Sequence, residues 1–485
     1  MVTASGPSAK RGCAALEQHF VPAASPVRRV RVRGCDILRR VRRAALPSAL
    51  ALGAIVATLA TLATPALANG RFPAAGQVVI DPSDPAHIVI RATYGILQTV
   101  DSGQSWQWIC EGAIGYSGVE DPAMGVTGDG TILAGIFAGL AVSPDRGCSW
   151  AFEGSPLEGE YTIDVAVQQD DPMRALALTS TGSQAGFHVI VAETADGGAT
   201  WAQAGVAVDT EFLALTVEVA PSDPDRIYLS GLFGAGYEGA MARTSDRGQT
   251  WEILPFDLQG ADGPYIGAID PANADRLYVR TDDPVDDALY VSDDAGETWS
   301  KVAVAPGEML GFALSPDGSQ VAIGGPQLGL QIASTTDFDF QDQGAQKIAC
   351  LKWHESGLYA CASEFEDGFT LGRFVDAATG FTSVYHLADL EQLACAAGTI
   401  TGDTCPPAWP PVAETLGING SGGAGGAASS SGAGGSPADA EDDGGGCGVC
   451  SVGAVRPSGS GWSAAACVAG AALAAGLRRR PRRKR

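Results

Sequence analysis

The phrase Ser/Thr-x-Asp-x-Gly-x-Ser/Thr-Trp recurs five times in 485 residues. It reads TVDSGQSW ending at Trp106, SPDRGCSW at Trp150, TADGGATW at Trp201, TSDRGQTW at Trp251 and SDDAGETW at Trp299. Successive aspartates, Asp101, Asp145, Asp196, Asp246 and Asp294, stand 44 to 51 residues apart. A unit of that length cannot bury its own apolar face, so it must stack on copies of itself, as a solenoid or a propeller. A second phrase precedes three of the copies: IDPSDPAHIVI (80–90), VAPSDPDRIYL (219–229) and IDPANADRLYV (269–279). Each reads as a strand end, a Pro/Asp/Ser turn and a strand of alternating apolar residues. Four short strands per repeat make a propeller blade.

The repeated residues each have a physical role in such a blade. An aspartate carboxylate accepts hydrogen bonds from the N–H groups of its own turn. Glycine takes a backbone angle that other residues resist. The Ser/Thr hydroxyls bond further turn groups. Tryptophan, in the form of Trp106, Trp150, Trp201, Trp251 and Trp299, buries a large flat face between hairpins. A turn of this kind holds the last two strands of each blade in register.

The resulting expectation is an all-β chain: a single propeller of seven four-stranded blades, at 77–112, 120–154, 160–206, 211–256, 262–306, 308–345 and 347–390. Six and eight blades stay open. The sixth unit keeps LSPDGSQVAIGG, but its box decays to ASTTDFDF; in the seventh, Asp376 and Phe381 stand where Asp and Trp would. Residues 391–412 read as a cap or exit strap. Closing the ring removes exposed sheet edges.

Charge narrows the partners. The whole chain carries 31 basic and 55 acidic residues. Residues 69–450 hold only 13 of the former and 53 of the latter, a net charge near −40. Phosphate would be repelled, which excludes nucleic acid as a partner of the body. The basic residues collect at the ends. Residues 44–68 form a small-residue apolar run after Arg39, Arg40, Arg42 and Arg43 and close on Ala-Leu-Ala, so 1–68 reads as an N-terminal extension and signal peptide cut after Ala68. The body is then 69–412. Residues 413–446, rich in Gly, Ser and Ala, read as a flexible, disordered linker. Residues 447–485 hold CGVC (Cys447 and Cys450), a short hydrophobic helix and RRRPRRKR. An ordinary C-terminal membrane span and a redox or zinc half-site at CGVC are the other readings of this tail, although no second Cys/His pair accompanies it.

Six cysteines remain in the body, and in an exported chain disulfides are the default. Cys350 and Cys361 would lie opposite each other across a hairpin folded at Glu355–Ser356. Cys395 with Cys405 would close a short loop, leaving Cys110 with Cys148; six cysteines permit 15 pairings, and the connectivity stays open. Asp282, Asp283, Asp286 and Asp287 cluster in TDDPVDDALY and are weak calcium candidates; they lack EF-hand spacing, and a solvated acidic loop is the plainer reading. No other metal or cofactor is expected.

The five phrases match the Asp-box, or BNR, repeat, and the chain resembles that superfamily over about 340 residues. Members include sialidases, two-propeller xyloglucanases, sortilin-type receptors and a photosystem II assembly factor. The resemblance implies a fold element and not one activity, with the boxes on outer hairpins away from the ligand face. A sialidase would need three arginines, a Tyr–Glu pair and an Asp. Arg71-Phe72-Pro73 echoes that family's first arginine motif, and Tyr265, Tyr278, Tyr290, Tyr359, Glu364 and Glu366 are available. Xyloglucanases use two propellers, and this chain has room for one. The tail resembles the MYXO-CTERM class of sorting tails, which implies cleavage near Cys447 or Cys450 by a membrane protease and anchoring through a cysteine. The reading that follows is an exported, envelope-anchored module that binds or scaffolds a protein or glycan at a ring face. The alternative is a sialidase-like extracellular glycosidase using Arg71.

Overall fold

The structure is a computed structural model that describes residues 73–117 and 120–418. Seven antiparallel four-stranded sheets follow one another along the chain, within 75–109, 123–152, 162–203, 212–255, 263–304, 311–344 and 350–385. These are blades 1 to 7, and they agree with the blade spans expected from the sequence to within a few residues. The first strands pack side by side in cyclic order, and Ala75–Ile80 of blade 1 meets both Ala123–Val126 of blade 2 and Cys350–His354 of blade 7. That contact closes the ring. In blades 1 and 2 the second and third strands are wholly buried, as in Ile88–Ala92 and Gly95–Thr99, because both of their faces are covered by neighbouring blades.

Closure is not made by sharing a blade between the two ends of the chain. All four strands of blade 7 come from the C-terminal part and all four of blade 1 from the N-terminal part. Instead, Leu390–Gln392 adds a fifth, parallel strand to the outer edge of blade 1, beside Trp106–Ile109. A strap helix, Ile400–Thr415, then follows, capped by the Thr399 hydroxyl, which accepts a hydrogen bond from the Gly402 N–H at 3.1 Å. Four prolines, Pro406, Pro407, Pro410 and Pro411, lie inside this helix. Each removes an N–H donor, so the helix depends on docking more than on its own ladder. Trp409 packs on Trp108 of blade 1, ring centroids 5.4 Å apart. The helix crosses the body–linker boundary drawn at 412 from the sequence, and the described residues continue to Ile418.

Two of the disulfide pairings expected from the sequence need correction. Cys350 bonds Cys361 across a hairpin in register, but Cys110 bonds Cys405 and Cys148 bonds Cys395. The short Cys395–Cys405 loop does not close, because Cys405 sits on the strap helix against blade 1 while Cys395 lies before that helix, beside the blade 2 turn. No helix among the described residues is long and apolar enough to cross a membrane.

Candidate functional site: the loop face and the channel

In a four-stranded meander the first-to-second and third-to-fourth turns share one end of the ring. The second-to-third and blade-to-blade connections share the other. The boxes are third-to-fourth turns. In each, the aspartate accepts a hydrogen bond from the N–H four residues on, as from Thr298 to Asp294 at 2.8 Å. The hydroxyl two residues before donates to the same carboxylate and accepts the glycine N–H, as Ser292 does with Asp294 (2.8 Å) and Gly296 (2.9 Å). The same pattern holds at Asp101, Asp145, Asp196 and Asp246. Gly147, at φ 95°, takes a left-handed angle in the blade 2 turn, and its neighbour Arg146, at φ 58°, shares that region. The Thr298 and Thr200 donors hold Asp294 and Asp196 below the usual carboxylate range, and the Thr244 hydroxyl does so for Asp246. At Asp101 slight burial pulls upward, but the Thr99 and Ser105 donors outweigh it.

The boxes also join blades. Trp106 Nε1–H donates to the Val384 carbonyl of blade 7, and Trp251 Nε1–H to the Val206 carbonyl just after the last strand of blade 3. Trp201 packs among Leu133 and Val142 of blade 2. In blade 6 the box aspartate is gone and Asp317 of the preceding turn, bonded by Ser315 and Ser319, is held at about 2. In blade 7 Asp376 accepts from the Ala378 and Thr379 N–H groups, while Phe381 packs on Phe369 and Phe374.

The arginines do not converge. Six belong to ion pairs at the box end: Arg146 with Asp84, Arg174 with Asp171, Arg226 with Asp275, Arg243 with Glu252 and Glu297, Arg247 with Glu193, and Arg276 with Asp293. Arg91 and Arg280 are buried in blades 1 and 5. The tyrosines and glutamates named above are dispersed likewise. Tyr265 lies under Arg280, Tyr278 under Arg276 and Tyr290 under Lys301, while Tyr359 contacts Ser356. Glu364 accepts from Thr370 and contacts His386, and Glu366 pairs with Lys347. Arg71, Cys447 and Cys450 lie outside the described residues.

The acidic loop of blade 5 directs its carboxylates at its own backbone and at that of the blade 5–6 connection. Asp287, buried, accepts from the N–H groups of Asp283 and Met309, Asp283 from Val285 and Asp286, and Asp286 from Gly307. Asp282 is half-buried at the end of the same strand.

The other end of the ring is the loop face. Its thirteen connections carry seventeen carboxylates, one lysine (Lys347) and no arginine. At the junction of blades 2 and 3, Phe137 and Tyr161 stack with centroids 5.4 Å apart, and Tyr161 is 36% exposed. Glu120 accepts the Phe137 N–H at 3.1 Å, and Glu160 contacts His188 Nδ1 at 3.0 Å. Burial raises the Glu120 carboxyl, and the Phe137 N–H partly opposes it. Val285 and Phe365, 71% and 65% exposed, stand on the same face at blades 5 and 7.

The axial channel holds a second set of groups. Asp164, Glu218 and Lys352 stand on the first strands of blades 3, 4 and 7 (Thr162–Val167, Phe212–Ala220, Cys350–His354). Protein surrounds all three, yet each is only partly buried. Burial pushes Asp164 up to about 7, although the Val217 and Val165 N–H groups pull the other way. Burial and the neighbouring Asp164 push Glu218 up to about 8, with Lys352 opposing. Burial lowers Lys352, offset by Glu218. None of these three groups was expected from the sequence. The signal was present in TIDVAV and LTVEVA, where one acid interrupts an apolar strand.

The model of the family described as photosynthesis system II assembly factor YCF48 matches residues 162–329. A stretch of 101 residues is 39% identical to the xyloglucanase Xgh74A of Acetivibrio thermocellus, covering 19% of this chain and 12% of that protein. A stretch of 98 residues is 31% identical to the oligoxyloglucan-reducing end-specific xyloglucanase of Emericella nidulans, covering 19% and 12%. The chain thus matches about an eighth of the length of these curated relatives. Among solved structures, an ancestral GH74 enzyme aligns with 65% of this chain and 38% of its own at 17% identity and a TM-score of 0.42. YCF48 bound to D1 peptide aligns with 41% and 60% at 18% identity and a TM-score of 0.30.

Proposed function

We propose that this chain is an exported binding module, held at the cell envelope by its C-terminal tail, whose ligand is a protein segment or a glycan met at the loop face. The observation that carries the reading is the division of labour between the two ends of the ring. At the box end, arginines and box aspartates are engaged in ion pairs and turn hydrogen bonds. The opposite end displays Tyr161, Val285 and Phe365 to solvent. Side chains that hold the fold and apolar side chains exposed to solvent are thus segregated. Export is supported by the signal-like run at 44–68 and by the pairing of all six body cysteines, which suits an oxidising compartment. Anchoring rests on the sorting-tail resemblance of 447–485.

The test is retention on immobilised full-length chain of a panel of peptides and oligosaccharides, sialosides and xyloglucan among them. Retention lost in Tyr161→Ala/Phe365→Ala and kept in Asp170→Asn/Asp337→Asn, two exposed carboxylates of the box end, supports the reading. Retention indifferent to the loop face overturns it.

A glycoside hydrolase is the second reading, favoured by the 39% identical stretch shared with a xyloglucanase. The dispersal of the described arginines weighs against its sialidase-like form. Product analysis separates it from binding alone.

A further inference from the structure

We infer that the ligand of the loop face is a cationic polypeptide segment, seated with a basic side chain at the blade 2–3 junction; the inference deepens the binding-module reading and rests on it. Basic side chains are distributed unevenly over the ring. The box end is acidic too, but it sets six arginines in ion pairs against part of its carboxylates. The loop face has seventeen carboxylates and one lysine, and Lys347 is itself paired with Glu366 at 2.6 Å. The two arginines whose strands run toward this end, Arg91 and Arg280, are 2% and 8% exposed, and so present little charge to solvent. A face so biased attracts cations, repels anions and gives a neutral sugar no electrostatic advantage.

The same face offers apolar surface. Tyr161, Val285 and Phe365 are spread around the rim, so a partner that covers them must be extended, as a peptide segment is. At the blade 2–3 junction the two features meet. The Phe137–Tyr161 pair presents aromatic surface, flanked by Glu120 and Glu160. One oxygen of Glu160 contacts His188, while its Oε2 is buried and meets no hydrogen-bond donor among the described residues. An arginine or lysine head suits such a seat, since it gains from the ring faces and from the carboxylates at once. An apolar neighbour in the same segment would cover the exposed tyrosine edge.

Three probes test this on full-length chain: a fluorescent peptide rich in arginine and leucine, its glutamate-for-arginine counterpart, and a neutral xyloglucan oligosaccharide. The arginine peptide is expected to bind, more weakly as salt rises, and its counterpart is not. Glu120→Gln/Glu160→Gln should weaken the arginine peptide about tenfold, with unchanged thermal unfolding showing that the variant is folded. Asp170→Asn/Asp337→Asn, which removes as many charges from the box end, should leave affinity within about twofold. Equal losses in the two variants would mean unspecific attraction and overturn the inference. Xyloglucan bound at the loop face with no peptide binding would also overturn it, while leaving the binding-module reading intact. Cleavage of the oligosaccharide would instead remove the reading beneath it.

Discussion

Cys148, inside the blade 2 box, is disulfide-bonded to Cys395 of the strap, 247 residues later in the chain. Cys110, just after the last strand of blade 1, is bonded in the same way to Cys405 of the strap helix. The two bonds tie the C-terminal strap across the first two blades. They fasten the ring where a shared blade would otherwise close it. Loop-closure entropy grows with the length enclosed. Because Cys110–Cys405 still tethers the same ends, removing Cys148–Cys395 as paired serines should cost about 4 kcal/mol, and removing Cys350–Cys361, which spans 11 residues, about 3 kcal/mol. Denaturant unfolding of the two paired variants checks the order. Peptide mapping without reduction checks the connectivity, and a Cys395–Cys405 peptide would contradict it.

Trp106 is fully buried and its indole N–H reaches the Val384 carbonyl across the blade 7–blade 1 seam. Trp106→Ala should cost about 3–5 kcal/mol. Trp106→Phe, which keeps most of the ring and loses the hydrogen bond, should cost less than half as much. Phe152→Ala, at a half-exposed ring, is the comparison. A Trp106→Ala loss no larger than that at Phe152 would show that the seam does not depend on the box tryptophan.

The Asp294 carboxyl is held below its ordinary value by the Thr298 and Ser292 donors. A depressed folded-state value adds stability above the unfolded value, about 3.9, and that stability is lost as pH falls through the folded value. Asp294→Ala should melt at a lower temperature than the unaltered chain at neutral pH. The difference should shrink below about pH 4. Melting curves across that range provide the check, and a difference that stays constant would contradict the role given to the ionised carboxylate.

Glu218 behaves in the opposite sense. Its folded-state value is about 8, so the folded chain keeps a proton that the unfolded chain releases above about pH 4.3. Its contribution to stability therefore falls as pH rises from that point to about 8. Asp164, at about 7, falls in the same direction, while Lys352, lowered, acts at higher pH. Glu218→Gln should gain stability over the unaltered chain between pH 5 and pH 8, on the order of 2 kcal/mol because Glu218 is only partly buried and solvent screens part of the cost. Parallel pH profiles for the two proteins would rule this out.

The repeat was legible because the box is built locally. Asp294, Ser292, Gly296 and Thr298 form one turn from neighbours in sequence. Spacing then gave the blades, even where Asp376 and Phe381 replace the motif. Distance in the chain hid the rest. Cys148 meets Cys395, and Glu218 faces Asp164 and Lys352, only after the ring has closed. The strap helix escaped because Pro406, Pro407, Pro410 and Pro411 argue against a helix locally, whereas docking on Trp108 supports one. The loop-face seat escaped for a related reason. Glu120, Phe137 and Tyr161 come from three separate connections, and neither aspartate spacing nor apolar alternation brings them together.

Binding without catalysis is tested most directly by a mass balance. Full-length chain is incubated with xyloglucan, sialosides and arginine-rich peptides, and both bound and free fractions are analysed by mass spectrometry. A binding module should leave its ligand intact, enriched in the bound fraction and released by Tyr161→Ala/Phe365→Ala. Shortened oligosaccharides that accumulate with time would contradict that role and make this propeller an enzyme.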